Sequence, residues 1–468
     1  MLFNSVPFVL LALATLALYY LPFMRRWQLH VLVAASFVFY AWSMPWLLLL
    51  LIGSVAINVW ASHRVVFGDQ RLRRFHATLG VALNLAVLVF FKYSPLIGRS
   101  FFEGSGLGAF LVAIPLPVGI SFFTFQGISL VVDAHKGREV SAYASIVVRG
   151  FTRHALRITT FISFFAQLVA GPVVKAHDFL PQVKEKRWAE IDWNAVFSPL
   201  VIGYFLKMVV ADNLKDQTFW IAFPYFTEIH SLTLLALLFG YSMQIFADFA
   251  GYSLIAIGLG QLFGYRFFNN FDFPYISASF SEFWRRWHIS LSSFLREYLY
   301  IPLGGNRMGP ARTYRNLMLT MVLGGLWHGA AWSYAIWGFW HGLMLAAERL
   351  TADLGWSLKG KLPKALHMLF IFTCVTLAWL LFKLPDFSHV IGYLEAIASN
   401  TGGGDLQPVL LFFVALFSIP VVAYHLLYLW TRVPRPAIEK ARPVLYGIML
   451  FLILVNAGSG ASFIYFQF

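Results

Sequence analysis

Uninterrupted apolar runs, separated by short basic clusters, recur along almost the whole of this chain, and they constrain its fold more than any motif does. Phe8–Leu21, Val31–Trp42, Trp46–Trp60, Leu79–Phe91 and Val409–Trp430 are examples. The runs are continuous rather than alternating, so they read as helices and not as barrel strands. Hydrophobic residues make up 59% of the 468 and charged residues only 12%. A water-facing surface needs more charge than that, and lipid is the solvent that fits. The length leaves room for roughly ten spans of about 20 residues. The expectation is an all-α integral membrane protein forming one multi-pass domain over residues 1–468.

The net charge of +14 raises the question of nucleic acid, but its distribution excludes that partner. Lys and Arg lie in short clusters between apolar runs, as in cytoplasmic loops. One cysteine, Cys374, excludes an intrachain disulfide framework and a multi-cysteine metal site. The run Phe8–Leu21 precedes Arg25-Arg26 instead of following a basic segment, and no small-residue cleavage site comes after it. It reads as a retained helix rather than a signal peptide.

The second and third runs are joined by Ser43-Met44-Pro45, so Arg25-Arg26 and the cluster Arg64, Arg71, Arg73, Arg74 share a side. Both are basic, which makes that side cytoplasmic and the N-terminus periplasmic. A fourth run leads out to Gly98–Gly108, and the next returns at Lys136-Gly137-Arg138. Near the other end, Pro385–Gln407 carries Asp386, Glu395 and Asp405 without Lys or Arg. The loop with Arg432, Arg435, Lys440 and Arg442 follows one span later, and the two fall on opposite sides as required. No fixed-period repeat is present.

Hydropathy fails between Tyr265 and Asn316, a stretch too charged to span yet full of Trp, Phe and Tyr. Such a segment belongs at the interface or in a re-entrant loop. Ser279 and Glu282 form a capping-box signature, and no Gly or Pro interrupts Ser281–Ile301, so one helix is expected there. At about 100° per residue, Trp284, Trp287, His288, Leu291 and Leu295 share a stripe, opposite Glu282, Arg286, Ser293 and Arg296. His288 is then the ionisable residue on the apolar face. It reads either as a structural imidazole bonded to a backbone carbonyl or as a functional one.

The run Leu317–Leu345 is interrupted by Gly324–Gly329 and carries a second His-Gly pair at His341-Gly342. A histidine in such sequence is costly and signals function, or else it bridges helices, with glycine beside it for close packing. Both readings stay open for His328 and His341. There is no HExxH, no G-x-S-x-G elbow and no carboxylate–histidine pair at metal spacing, and Gly304-Gly305-Asn306-Arg307 lacks a P-loop ending. Arg307, Arg312 and Arg315 remain suited to an anionic donor. A neutral imidazole in a dry site suits deprotonation of a hydroxyl that attacks a thioester.

Residues Phe283–Ser292 (FWRRWHISLS), followed downstream by Gly324–Gly329 (GGLWHG), resemble the membrane-bound O-acyltransferase family, and closely its bacterial alginate O-acetylation branch. Pro117–Gln126 (PVGISFFTFQ), Gln167–Pro172 (QLVAGP), Asp248–Gly260 (DFAGYSLIAIGLG) and Tyr300–Asn306 (YIPLGGN) extend the match over most of residues 1–350. The resemblance implies about eleven transmembrane helices plus re-entrant or interfacial helices around a central funnel, with a catalytic core near 115–350. It makes His328 the essential histidine and His288 its partner. Trp284, Arg285, Trp327, Asn306, Arg307 and Asp248 become candidates for substrate or donor binding. It also implies a cytoplasmic donor such as acetyl-CoA, no bound cofactor or metal, and an inner-membrane location. The acetyl group would pass to a periplasmic or membrane-anchored polysaccharide acetyltransferase. Alginate is the first expectation for the polymer, cellulose the second and peptidoglycan the third.

Two other readings use the same residues. A transporter or flippase of an acetylated or lipid-linked intermediate would also need broken helices and buried polar groups, although related halves are not visible. A scaffold anchoring a polymer-synthesis complex would not need the histidines. Asp133, Gln126, Asn269, Asn316 and His341 have no assigned role at this stage.

Overall fold

The computed structural model describes residues 1–42, 44–137, 150–355, 363–402, 405–430 and 436–459. Ser43, Arg138, Arg432 and Arg435, used above to orient the chain, lie outside them. Among the described residues the secondary structure is helical, apart from one isolated parallel bridge between Ile229 and Asp405. Among the described residues, six helices are long and apolar enough to cross a bilayer: Leu47–Phe67, Gln70–Phe101, Trp193–Ile221, Ser231–Leu262, Lys364–Lys383 and Pro408–Trp430. A seventh crossing is available if Val6–Tyr20 and Pro22–Ala41, bent by 104°, act together. The bend follows from Pro22. Proline disfavours a helical residue before it, and Leu21 is extended, with ψ at 133°. Pro310–His328 and Trp332–Asp353 reach 19 and 22 residues, and each carries charged residues toward one end.

The chain divides into two compact units, Met1–Leu200 with Ile255–Phe268, and Val201–Leu254 with Asn269–Phe468. In the first, the Ile120–Lys136 helix is buried almost throughout, with Leu47–Phe67 and Arg73–Leu88 against it. Polar side chains there must bond to one another because lipid offers them nothing. Asn58 and Asn84 exchange two amide hydrogen bonds, at 3.0 and 2.9 Å. Gly127 makes room for them, since a Cβ at that position would lie 2.5 Å from both ends of the Asn58 amide. Asp133 is buried and accepts from His177 Nδ1 at 2.8 Å. That hydrogen bond raises the pKa of His177, in the short helix Ala176–Phe179, above the ordinary imidazole value. Asp133 thereby gains a structural partner.

In the second unit, Pro310–His328 and Trp332–Asp353 form a tightly packed antiparallel hairpin. The helices touch backbone to backbone at Gly325 and Gly338. A Cβ on Gly325 would run into the Tyr334 carbonyl, and one on Gly338 into the Met321 carbonyl and, at 2.9 Å, Val322 Cα. The glycines therefore set how closely the two helices approach.

One expectation is corrected. Ser281–Ile301 is not one helix but two, Phe280–Arg286 and Ile289–Leu295, followed by a wide turn of helix at Arg296–Tyr300. The predicted capping box forms in part: Ser279 Oγ accepts from Glu282 N at 3.1 Å, but Glu282 reaches one residue before the cap and accepts from Ala278 N at 2.9 Å. The Glu282–Arg286 pair also forms, at 3.1 Å. The break falls at Trp287-His288, where His288 takes the left-handed conformation, φ 44° and ψ 53°. The cause is tertiary. Arg286 O accepts from Asp272 N, and Ile289 N donates to Asn270 O, each at 2.9 Å. Backbone groups that would continue the helix are bound instead to a segment some 16 residues upstream, which helical periodicity cannot reveal.

Gly338→Val is expected to force the hairpin apart at a cost of about 1–3 kcal/mol or more, lowering the thermal midpoint of purified protein in detergent. Gly53→Ala, where nothing lies within 4 Å of the added carbon, should leave it unchanged or slightly raised. Equal midpoints for both variants would contradict the packing argument.

Candidate active site

Both candidate histidines sit at breaks in helices. His288 occupies the left-handed junction, and His328 is the last residue of Pro310–His328. Gly329 follows in extended conformation, and any side chain there would fall within the Tyr334 ring. The chain therefore turns sharply immediately after His328. The two imidazoles are buried, at 0% and 2% exposure, and their ring centres are 6.0 Å apart.

The tautomer of His288 follows from its neighbours. Asn270 Oδ1 accepts from the backbone N–H of Ser290 at 3.2 Å and from Ser290 Oγ at 2.8 Å. The backbone donor identifies that atom as the amide oxygen. His288 Nδ1, 3.1 Å from the same oxygen, must then be the donor, which leaves the lone pair of the neutral ring on Nε2. The Asn270 amide is held in turn by donating to Ser253 Oγ at 3.2 Å. Phe249 meets the His288 ring edge-on at 4.5 Å. His328 is enclosed by Trp327, Trp337 and Phe382 at 5.1, 5.3 and 5.1 Å.

A cavity of about 220 Å³ reaches His328. Its walls are mainly Leu291, Leu295, Leu317, Met321, Leu345 and Trp284, with Trp337 beside the imidazole and Gly324 leaving space. Arg296, which is exposed, and Tyr300 also line it. The cavity thus joins an exposed residue, Arg296, to a buried imidazole between apolar walls. Such a site excludes water while a proton is taken from a hydroxyl.

The remaining candidates divide. Trp284 lines this cavity, and Trp327 packs against both histidines, at 5.9 Å from His288. Arg285, Asn306 and Arg307 are exposed and do not line it. Asp248 lies elsewhere, in a buried cluster in which Lys207 Nζ is 2.9 Å from Asp248 and 2.6 Å from Asp212. His341 is fully buried, stacked on Phe283 at 5.9 Å and close to Trp337 at 4.6 Å. Among the described residues, neither of its ring nitrogens has a hydrogen-bond partner. Asn316 donates to Leu303 O and Gly305 O at 3.0 and 3.1 Å, bracing the turn in which Gly304 and Gly305 are left-handed. Among the described residues, no three His, Cys, Asp or Glu side chains are grouped to hold a metal ion.

Sequence reasoning missed Asn270, Ser290, Ser253 and Lys207. Asn269 was singled out, but it is exposed, and its neighbour makes the contacts. Nothing in the spacing separates the two.

A helical membrane protein with two buried imidazoles, one of them at the inner end of an apolar cavity, has the equipment of a membrane-embedded transferase. Residues 107–355 match the membrane-bound O-acyltransferase (MBOAT) family. The chain is 39% identical over 409 residues to "Probable alginate O-acetylase AlgI" of Pseudomonas aeruginosa, covering 85% of this chain and 75% of that protein. It is 35% identical over 397 residues to "Peptidoglycan O-acetyltransferase" of Helicobacter pylori, covering 79% and 74%. Against "Teichoic acid D-alanyltransferase" of Bacillus subtilis it is 27% identical over 289 residues, covering 58% and 70%. The chain belongs to the membrane-bound O-acyltransferase family, and it is an acyltransferase.

Lys207→Ala would leave two buried carboxylates without their counter-charge, an expected loss of about 3–5 kcal/mol. Adding Asp212→Asn and Asp248→Asn should recover most of it. Thermal unfolding in detergent reads the effect, and equal midpoints for the single and triple variants would contradict it.

Proposed function

We propose that this protein takes an acetyl group from a cytoplasmic thioester donor, acetyl-CoA, and passes it across the inner membrane for O-acetylation of an exported polysaccharide. The observation that carries the reading is the pair of buried imidazoles 6.0 Å apart, with the cavity leading to one of them. His328 takes the proton of an acceptor hydroxyl as its oxygen attacks the thioester carbonyl carbon. The carbon–sulfur bond then breaks, and the proton returns to the departing thiolate. His288, oriented through Nδ1 by Asn270, keeps its lone pair on Nε2 with its ring centre 6.0 Å from that of His328. A periplasmic or membrane-anchored acetyltransferase is the partner that completes transfer to the polymer.

Alginate is the favoured polymer, because the relatives at 38–39% identity are named for it. Peptidoglycan is supported by the Helicobacter relative. Cellulose rests on the motif resemblance alone. The basic clusters at Arg25-Arg26 and Arg64–Arg74 support a periplasmic N-terminus. The arrangement of about eleven crossings around a funnel belongs to this proposal, as the family resemblance implies it.

His328→Ala is expected to lower acetyl transfer from labelled acetyl-CoA by at least about a hundredfold, while the protein still accumulates in the membrane. Undiminished acetylation by that variant would remove the catalytic assignment. Wild-type protein that moves an acetylated intermediate between vesicle faces, without transferring label to the partner or to a hydroxyl acceptor, would favour transport.

A further inference from the structure

The helix Phe280–Arg286 is seven residues long and delivers the chain directly to His288. Its N-terminus has three backbone donors that need partners, those of Phe280, Ser281 and Glu282. Ser279 Oγ takes the third. The other two go to a side chain 67 and 68 residues away. Glu348 Oε2 accepts from Phe280 N at 2.6 Å and from Ser281 N at 3.3 Å, and Glu348 Oε1 accepts from Ser281 Oγ at 2.6 Å.

Glu348 lies on Trp332–Asp353, seven residues after His341 and therefore two turns along the same face. That face meets the short helix a second time, through His341 against Phe283 and Trp284 at 5.9 and 5.1 Å. The same helix is locked to Pro310–His328 by the backbone contact at Gly325 and Gly338. A continuous mechanical connection follows. His328 ends one helix, the glycine contact fixes that helix to the next, Glu348 fixes the next to the short helix, and the short helix ends at Arg286, two residues before His288.

We propose that Glu348 is a positioning residue that sets the separation and orientation of His288 relative to His328. It touches neither ring. It acts by anchoring the start of the only helical segment between itself and the left-handed junction. The proposal rests on the reading that these two histidines are the reacting pair, but its geometric content does not depend on the identity of the donor.

The decisive comparison is among wild type, Glu348→Ala and Glu348→Gln, with full-length protein in detergent and acetyl-CoA as donor. Alanine removes all three hydrogen bonds. Glutamine restores them, because its oxygen can accept from both backbone N–H groups and its nitrogen can donate to Ser281 Oγ. Glu348→Ala is expected to lose about tenfold to a hundredfold in kcat, the effect of a small misplacement of reacting groups, with the donor KM within about twofold. Glu348→Gln should recover to within about threefold of wild type.

A second readout needs no activity. Carbethoxylation of His288 by diethyl pyrocarbonate, followed by peptide mass spectrometry, should be at least about fivefold faster in Glu348→Ala than in wild type, and near wild type in Glu348→Gln. Wild-type kcat and a wild-type His288 modification rate in Glu348→Ala would overturn the proposal. So would equal loss in both variants accompanied by equally lowered thermal midpoints, which would mark Glu348 as a general stability residue. If wild-type protein transfers no acetyl group, the functional reading fails, and the carbethoxylation rates alone decide the role of Glu348.

Discussion

In a protein surrounded by hydrocarbon, a polar group without a partner inside the fold is penalised by several kcal/mol. The architecture around His288 and His328 is organised by that constraint. Each histidine stands where a helix stops, so backbone groups are released from helical bonding in the least tolerant environment. Around His288, the freed groups are taken up by Asn270 and Asp272, and the Asn270 amide is itself held by Ser253. The start of the preceding helix is taken up by Glu348. At His328 the turn is made possible by Gly329, because no side chain fits against Tyr334. The breaks that bring the imidazoles together exist because these partners complete the hydrogen bonding.

This arrangement also gives the two rings their chemistry. An asparagine oxygen committed to a backbone donor can only accept from His288, so it fixes which nitrogen carries the proton. The walls around His328 are mainly Trp, Phe and Leu. The buried charges of Lys207, Asp212 and Asp248 pair with one another. The exposed Arg285, Asn306 and Arg307 stand outside the cavity. The imidazole of His328 thus lies between greasy walls, in a cavity that Arg296 also lines.

The helical class and the membrane setting were legible because they depend on composition and on run length, which are properties of the linear chain. The motif around His288 and the Gly324–Gly329 segment were legible for the same reason, as was the Ser279 helix cap. What escaped were interactions between residues far apart in sequence. The helix break at His288 contradicts the local periodicity and is imposed by Asn270 and Asp272. Glu348 sits in a charged helix end where nothing distinguishes it from Arg349 or Asp353. Asp248 is a candidate by its motif alone, and its contact with Lys207, formed across about forty residues, carries no local signal. The choice between Asn269 and Asn270 depends on which side chain turns inward, and two adjacent identical residues carry no such signal.

The central claim is that the imidazoles at 288 and 328 are the groups that meet a thioester donor. Affinity labelling with a bromoacetyl thioester of coenzyme A, followed by peptide mass spectrometry, tests this directly. The account predicts alkylation on the ring of His328 or His288, slowed when acetyl-CoA is present in excess. Modification confined to other residues, at a rate that acetyl-CoA does not change, would contradict it.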